Sequence, residues 1–300
     1  MKFSTWVKRI LIFLILFFII DFAISKILQN GIDKYFGLNT DAKILVNGSS
    51  MTIAGFNKTS LEKITEKKVA FYSRNGVSLE DRNAMLKHFY NASNKRTEIA
   101  ILEVNPLLFS KRFTAANVYM LFLPFMDDSS MSDFIKSKTD FKDFWIRKLI
   151  RTSRYNSDLI SLSIMGYTGN YENKKNQTLD PNVLEGLKKD YNSVPVEFDP
   201  EKIKLFKETV ALVTNHSQKI ILVNMPIYKT KMETFKKEEY QVFLSFVKQF
   251  SKDNKNLLFL DLNQGQLTEE SNLFSDPLHV NVNGQEQVTL ALTNFIKANQ

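Results

Sequence analysis

The chain contains no cysteine among its 300 residues, which excludes a disulfide scaffold, thiolate metal sites and cysteine nucleophiles. Histidine is nearly as scarce: with only His88, His216 and His279, a histidine-rich metal centre is not expected. Ten glycines and seven prolines are too few for a collagenous or low-complexity chain. Basic tracts interleaved with aromatics are missing as well. Lys and Arg number 40 against 32 Asp and Glu, a net +8, but the excess is spread along the chain, so nucleic acid is not an expected partner. A basic surface facing anionic lipid or an anionic envelope polymer suits that balance. What remains, 44% hydrophobic and 12% aromatic residues, is enough for one globular domain of roughly 250 residues plus appendages. Its chemistry must rest on hydroxyls, carboxylates, amides and very few imidazoles, with no metal and no cofactor expected.

The first thirty residues decide the compartment. Lys2, Lys8 and Arg9 precede an apolar run from Ile10 to Ile20, and the apolar character resumes after Asp21 with Phe22, Ala23, Ile24, Ile27 and Leu28. A helix from Trp6 to Leu28 is about 34 Å long at ~1.5 Å per residue, enough to cross a hydrocarbon core of roughly 30 Å. The basic flank puts the N-terminus in the cytoplasm and the rest of the chain outside, in the periplasm or at the cell surface. A cleaved signal peptide is the competing reading, since Ala23-Ile24-Ser25 has the small residues of a cleavage site. The continuing apolar pattern favours a single-pass anchor over 1–30. Asp21 is costly facing lipid, so it either reaches the interface or meets a polar partner.

A connector over 31–42 leads into the main domain, 43–298. Ile44–Val46, Val69–Tyr72, Ile99–Leu102, Ile220–Val223 and Leu257–Leu260 are continuous apolar runs of the kind that form strands covered on both faces. Helix-period segments separate them: Leu79–Tyr90, a helix opened by Asp199-Pro200, Thr234–Phe250 and Gln285–Ile296. Strands alternating with helices predict an α/β fold, a three-layer α/β/α arrangement around a five-stranded parallel sheet. Ligand groups then gather at the carboxyl ends of the strands. The stretch at about 107–196, with a predicted helix around Asp140–Arg151, reads as a largely helical insertion that serves as a cap over the site or as a membrane- or partner-facing surface.

The strand ends carry the polar residues with chemical potential. The first run ends in Asn47-Gly48-Ser49-Ser50, a turn able to lift a hydroxyl above the sheet edge; the third ends in Glu103-Val104-Asn105-Pro106. Before the closing helix comes Asp276-Pro277-Leu278-His279. An Asp three residues before a His can fold back to fix the imidazole tautomer, leaving the other nitrogen to take a proton from a serine. No glycine-rich phosphate loop follows the first run, which argues against a nucleotide site. Ser49 and Ser50 as turn formers, and Asn105 as a strand-end cap, remain open alternatives.

On these residues the chain resembles the SGNH hydrolases, the GDSL esterase/lipase family. Gly48-Ser49-Ser50 is similar to the family's Gly-Asp-Ser block, Glu103-Val104-Asn105-Pro106 to its Gly-x-Asn-Asp block, and Asp276-x-x-His279 to its last block. Arg74-Asn75-Gly76-Val77-Ser78-Leu79 resembles a further block, with Leu79 where the family has an oxyanion glycine. The resemblance implies a flavodoxin-like fold, a catalytic triad of Ser50, His279 and Asp276, and an oxyanion hole from Asn105 with backbone N–H groups of Ser50 and of the turn at Leu79. Behind an N-terminal anchor it looks most like the cell-envelope branch that includes teichoic-acid D-alanylation and polysaccharide O-acetylation proteins. That implies a serine esterase or O-acyltransferase acting on an acyl ester of an envelope glycan or lipid. The alternative is an inactive member that scaffolds a membrane-bound O-acyltransferase.

Overall fold

The computed structural model describes residues 3–91, 96–110, 118–171, 176–180 and 196–299. They divide into two compact units: Met1–Asn39 with Asn117–Asn170, and Thr40–Ala116 with Tyr171–Gln300.

The second unit is the α/β domain. Its strands β1 (Ile44–Asn47), β2 (Val69–Phe71), β3 (Thr97–Val104), β4 (Ser217–Asn224) and β5 (Leu257–Asp261) pair in parallel in the order β2-β1-β3-β4-β5. All five coincide with the apolar runs read from the sequence. That legibility has a physical cause: a parallel sheet covered on both faces needs apolar residues at every position, not at alternate ones. Ile44, Val46, Ile99, Ile101, Ile221 and Val223 pack into one core with Phe56, Leu61, Val288, Leu292 and Ile296. The intervening Leu45, Ala100, Leu102, Ile220 and Leu222 are equally buried and point to the opposite face, as period two requires. Each Val, Leu or Ile buried this way contributes about 1.5–3 kcal/mol.

The first α2 (Ser50–Gly55) and α3 (Lys58–Thr65) follow β1, and α4 (Leu79–Asn91) follows β2, all preceded in the chain by α1 (Phe3–Phe36). Asp199 caps the helix after the insertion, its side chain accepting from Glu201 N–H, with Pro200 in the first turn, as its sequence predicts. The order of strands reverses direction between β1 and β3, and the crevice outside the carboxyl ends of those two strands is where such sheets hold ligands.

The first unit contains α1, α5 (Ser129–Lys136), α6 (Phe141–Leu149) and α7 (Ser157–Thr168), with α7 packed on α1. Residues Ile10 to Ile20 of α1 are exposed and apolar, and the helix is long and apolar enough to cross a membrane. It does not stop near residue 30 but continues to Phe36. The reason lies in packing: Ile32 and Phe36 are buried, and Gly31 lets α7 approach closely. A Cβ at Gly166 would sit 1.8 Å from the Gly31 carbonyl oxygen, so the helices meet through glycines. Asp21 does not rely on interfacial water. Its carboxylate accepts from Arg151 N (2.8 Å), Thr152 N (2.9 Å) and Thr152 Oγ1 (2.6 Å), and it is buried.

Candidate active site

Two segments far apart in sequence converge at the end of β1. Ser50 opens α2, and its hydroxyl lies 2.8 Å from His279 Nε2. On the other side of the imidazole, Nδ1 lies 2.8 and 2.9 Å from the two Asp276 oxygens. Asp276 Oδ1 also accepts from the backbone N–H groups of Leu278 (2.9 Å) and His279 (3.0 Å). The carboxylate thus holds both the ring and the turn that carries it, as the Asp-x-x-His spacing predicts. The short hairpin of β6 (Phe274–Asp276) with β7 (His279–Val280) frames that turn. With Asp276 accepting at Nδ1, the tautomer leaves Nε2 as an acceptor for the serine proton.

The closing helix Val282–Ala298 clamps the two halves of this chain together. Its cap residue Asn281 accepts from Asn283 N and Gly284 N and donates to the Asn272 carbonyl. A Cβ at Gly284 would come within 2.2 Å of the Leu273 carbonyl oxygen, so only glycine admits the segment leading to Asp276. Gln285 Nε2 donates to the Ala54 carbonyl at 3.0 Å, tying the same helix to α2 and hence to Ser50.

Beneath the serine turn lies a buried carboxylate that inspection of the sequence did not single out as functional. Glu103, at 2% exposure, accepts from Ser49 N (2.7 Å), Ser49 Oγ (2.8 Å) and Thr52 Oγ1 (2.5 Å). It accepts also from Asn105 Nδ2 at 2.9 Å. One side chain therefore fixes both the serine turn and the amide at the end of β3. Gly48 is required by this closeness: a Cβ there would meet Thr52 Oγ1 at 1.9 Å and Glu103 Oε2 at 2.7 Å. Arg82, on α4, is also buried nearby. Burial holds its pKa below the ordinary guanidinium value, and the Glu103 charge offsets part of that shift. Its Nε and Nη2 donate to the Asn47 side chain and carbonyl, both at 3.1 Å, and Asn47 donates in turn to the Tyr72 carbonyl. A Glu inside an apolar strand and an Arg in a helix with polar neighbours gave no periodic signal that could separate them from surface residues.

Asn105 has two duties. Its Oδ1 accepts from Leu108 N at 3.1 Å, capping the 3-10 turn Pro106–Phe109, while Nδ2 reaches Glu103. It also lines a cavity of about 140 Å3 that Ser50 and His279 share with Gly76 and Val77. Leu79 is not among the lining residues. It is buried at the start of α4, where Ser78 and Asp81 form a reciprocal cap: Ser78 N donates to Asp81 at 2.7 Å and Asp81 N to Ser78 Oγ at 3.3 Å. The turn therefore meets the cavity through Gly76, at a left-handed φ of 70°, and Val77. Met225, Ile227, Phe235 and Leu278 make the rest of the wall apolar. Tyr240 completes it, accepting from Asn224 Nδ2 at 2.9 Å. Burial, then the Asp261 charge, pushes its phenol above the ordinary range, so it stays neutral. Among the described residues no group of three or more His, Asp or Glu is arranged to hold a metal ion.

No protein-family model matches the chain, and no curated protein matches it either. Among solved structures, one from Streptococcus pneumonia provisionally described as a platelet activating factor is distantly similar. Its identity is 10% and its TM-score 0.42, over 98% of this chain and 100% of that one.

Proposed function

We propose that this protein is a membrane-anchored serine esterase or O-acyltransferase of the SGNH type, acting on an acyl ester of a cell-envelope glycan or lipid. The observation that carries the reading is the unbroken chain from Asp276 through His279 to Ser50, with 2.8 Å at each link. In this mechanism His279 Nε2 takes the hydroxyl proton as Ser50 Oγ attacks the acyl carbonyl carbon. Asp276 stabilises the resulting imidazolium and holds the ring in place. The carbonyl oxygen becomes an oxyanion. Asn105 Nδ2 carries two hydrogens, of which Glu103 engages one; the other serves the oxyanion, together with backbone N–H groups of Ser50 and of the turn leading to Leu79. The tetrahedral adduct collapses, the alcohol leaves with the proton from His279, and an acyl-serine remains. Water or a sugar hydroxyl then gives its proton to His279 and attacks the acyl carbon, and as the bond to Ser50 Oγ breaks, that oxygen takes the proton back from His279.

The cavity favours a short acyl group. At about 140 Å3 it is well below the roughly 300 Å3 at which drug-sized pockets begin. Anchoring by α1, with its basic residues on the cytoplasmic side, leaves the α/β domain at the envelope, where such esters occur.

The test is a double substitution. Ser50→Ala and His279→Ala should each abolish turnover of a short acyl ester, and the pair together should be little worse than either alone, because both serve one proton transfer. Independent, multiplying losses would contradict the mechanism.

A further inference from the structure

The unit built from α1 and residues 118–170 leaves a large apolar surface uncovered. On α6, Phe141, Trp145 and Leu149 follow at intervals of four and are 78%, 50% and 63% exposed. The adjoining flank of the helix is turned inward. Phe144 is buried and Lys148 donates to the Met126 carbonyl, while Arg147 pairs with Asp143 at 2.9 Å further round. Ile160 and Ile164 on α7 are also exposed. Three such aromatic and aliphatic side chains standing in water would be an unusual surface for a soluble protein.

The height of this surface along α1 identifies what covers it. Asp21 receives the N–H groups of Arg151 and Thr152, so the chain just beyond α6 is pinned at the level of residue 21. Tyr155 OH, donating to the Ser25 carbonyl at 2.9 Å, fixes the next step. From Trp6 to Asp21 the helix rises about 22 Å. A hydrocarbon core of roughly 30 Å that begins near Trp6 ends near residue 26. Asp21, and the C-terminal end of α6 with it, therefore lies inside the far boundary of the acyl chains, and any tilt of α1 lowers it further.

We infer that α6 is an interfacial helix: its Phe141, Trp145 and Leu149 side is seated in the acyl-chain boundary of the leaflet that receives the C-terminal end of α1. The occupant of the surface is phospholipid. This rests on reading α1 as a bilayer-spanning anchor. The bonds of Asp21 then lock the interfacial helix to the spanning one, so the unit is held at a fixed depth.

The chain has two tryptophans, Trp6 and Trp145, which makes a direct test available. In the full chain carrying Trp6→Phe, reconstituted in phosphatidylcholine–phosphatidylglycerol vesicles, Trp145 is the sole fluorophore. Its emission should be blue-shifted, lose most of its intensity when the lipids are brominated along their acyl chains, and resist aqueous iodide. The Trp145→Phe chain reports on Trp6 and hence on insertion of α1. Quenching of Trp6 by brominated lipid while Trp145 emits as in water and is quenched by iodide would overturn the inference alone. No lipid quenching of either tryptophan would overturn the anchor reading and the inference with it. A Trp145 exposed to water in lipid vesicles but shielded in native membranes would assign the surface to a protein partner and likewise overturn it.

Discussion

Replacing Glu103 by Gln removes one charge and changes almost no volume, so its effect measures the buried network itself. The carboxylate takes bonds from Ser49 N, Ser49 Oγ, Thr52 Oγ1 and Asn105 Nδ2, and the amide has a single oxygen. If its NH2 replaces Oε1 it confronts Asn105 Nδ2; if it replaces Oε2 it confronts Ser49 N. Either way a buried donor loses its acceptor, at about 1–3 kcal/mol. Arg82 also loses the nearby negative charge that offsets part of its burial. The lost hydrogen bond sets the expected total at about 1–3 kcal/mol. In a domain of about 200 residues that lowers Tm by roughly 2 to 12 °C, which circular dichroism of the full chain in detergent micelles will resolve. Glu98→Gln is the control: it loosens only the partly exposed pair with Lys67, worth about 0–1 kcal/mol. If Glu103→Gln melts within about 2 °C of the wild type, Glu103 is not the support of the serine turn that its bonds describe.

Asn105→Ala should lower turnover by about 100- to 1,000-fold, the usual cost of one oxyanion donor, and destabilise the fold by only about 1 kcal/mol for the lost cap of the 3-10 turn; unchanged turnover at reduced stability would confine Asn105 to its capping role. Glu80 supplies a pH dependence. Burial pushes its carboxyl up, but the bond to Lys202 at 2.6 Å and the charge of that ammonium outweigh it, and the pKa is lowered. A depressed folded-state value stabilises above the ordinary glutamate pKa of about 4.3 and is lost as pH falls through the lower value. Glu80→Gln should therefore narrow the gap in Tm between neutral pH and about pH 3, and an unchanged gap would show that the pair carries no such linkage.

The sheet and the closeness of Asp276 to His279 were legible because their signals are local, whereas Ser50 was singled out from Ser49 only by resemblance. Continuous apolar runs mark strands buried on two faces, and a spacing of three positions between Asp276 and His279 suffices to bend one onto the other. What escaped inspection depends on partners distant in the chain. Glu103 meets Ser49 across 54 positions, and Asp21 meets Thr152 across 131. A charged residue whose partner lies that far away is indistinguishable in sequence from one facing solvent. The extension of α1 to Phe36 escaped for the same reason, since Gly31 signals a helix end until Gly166 is seen against it. Leu79 was read from a block pattern, whereas the cavity is met by Gly76 and Val77, because Ser78 turns the chain into the cap of α4.

The central claim is that Ser50 is an activated nucleophile, and covalent labelling by a fluorophosphonate tests it most directly. Intact mass measurement of the full chain, in its native membranes as well as in detergent, should find one adduct, located by peptide mapping on Ser50. The adduct should be lost in Ser50→Ala and formed far more slowly in His279→Ala. A wild-type chain that takes up no label in its native membranes, or takes it up equally with Ala at position 50, would contradict the account.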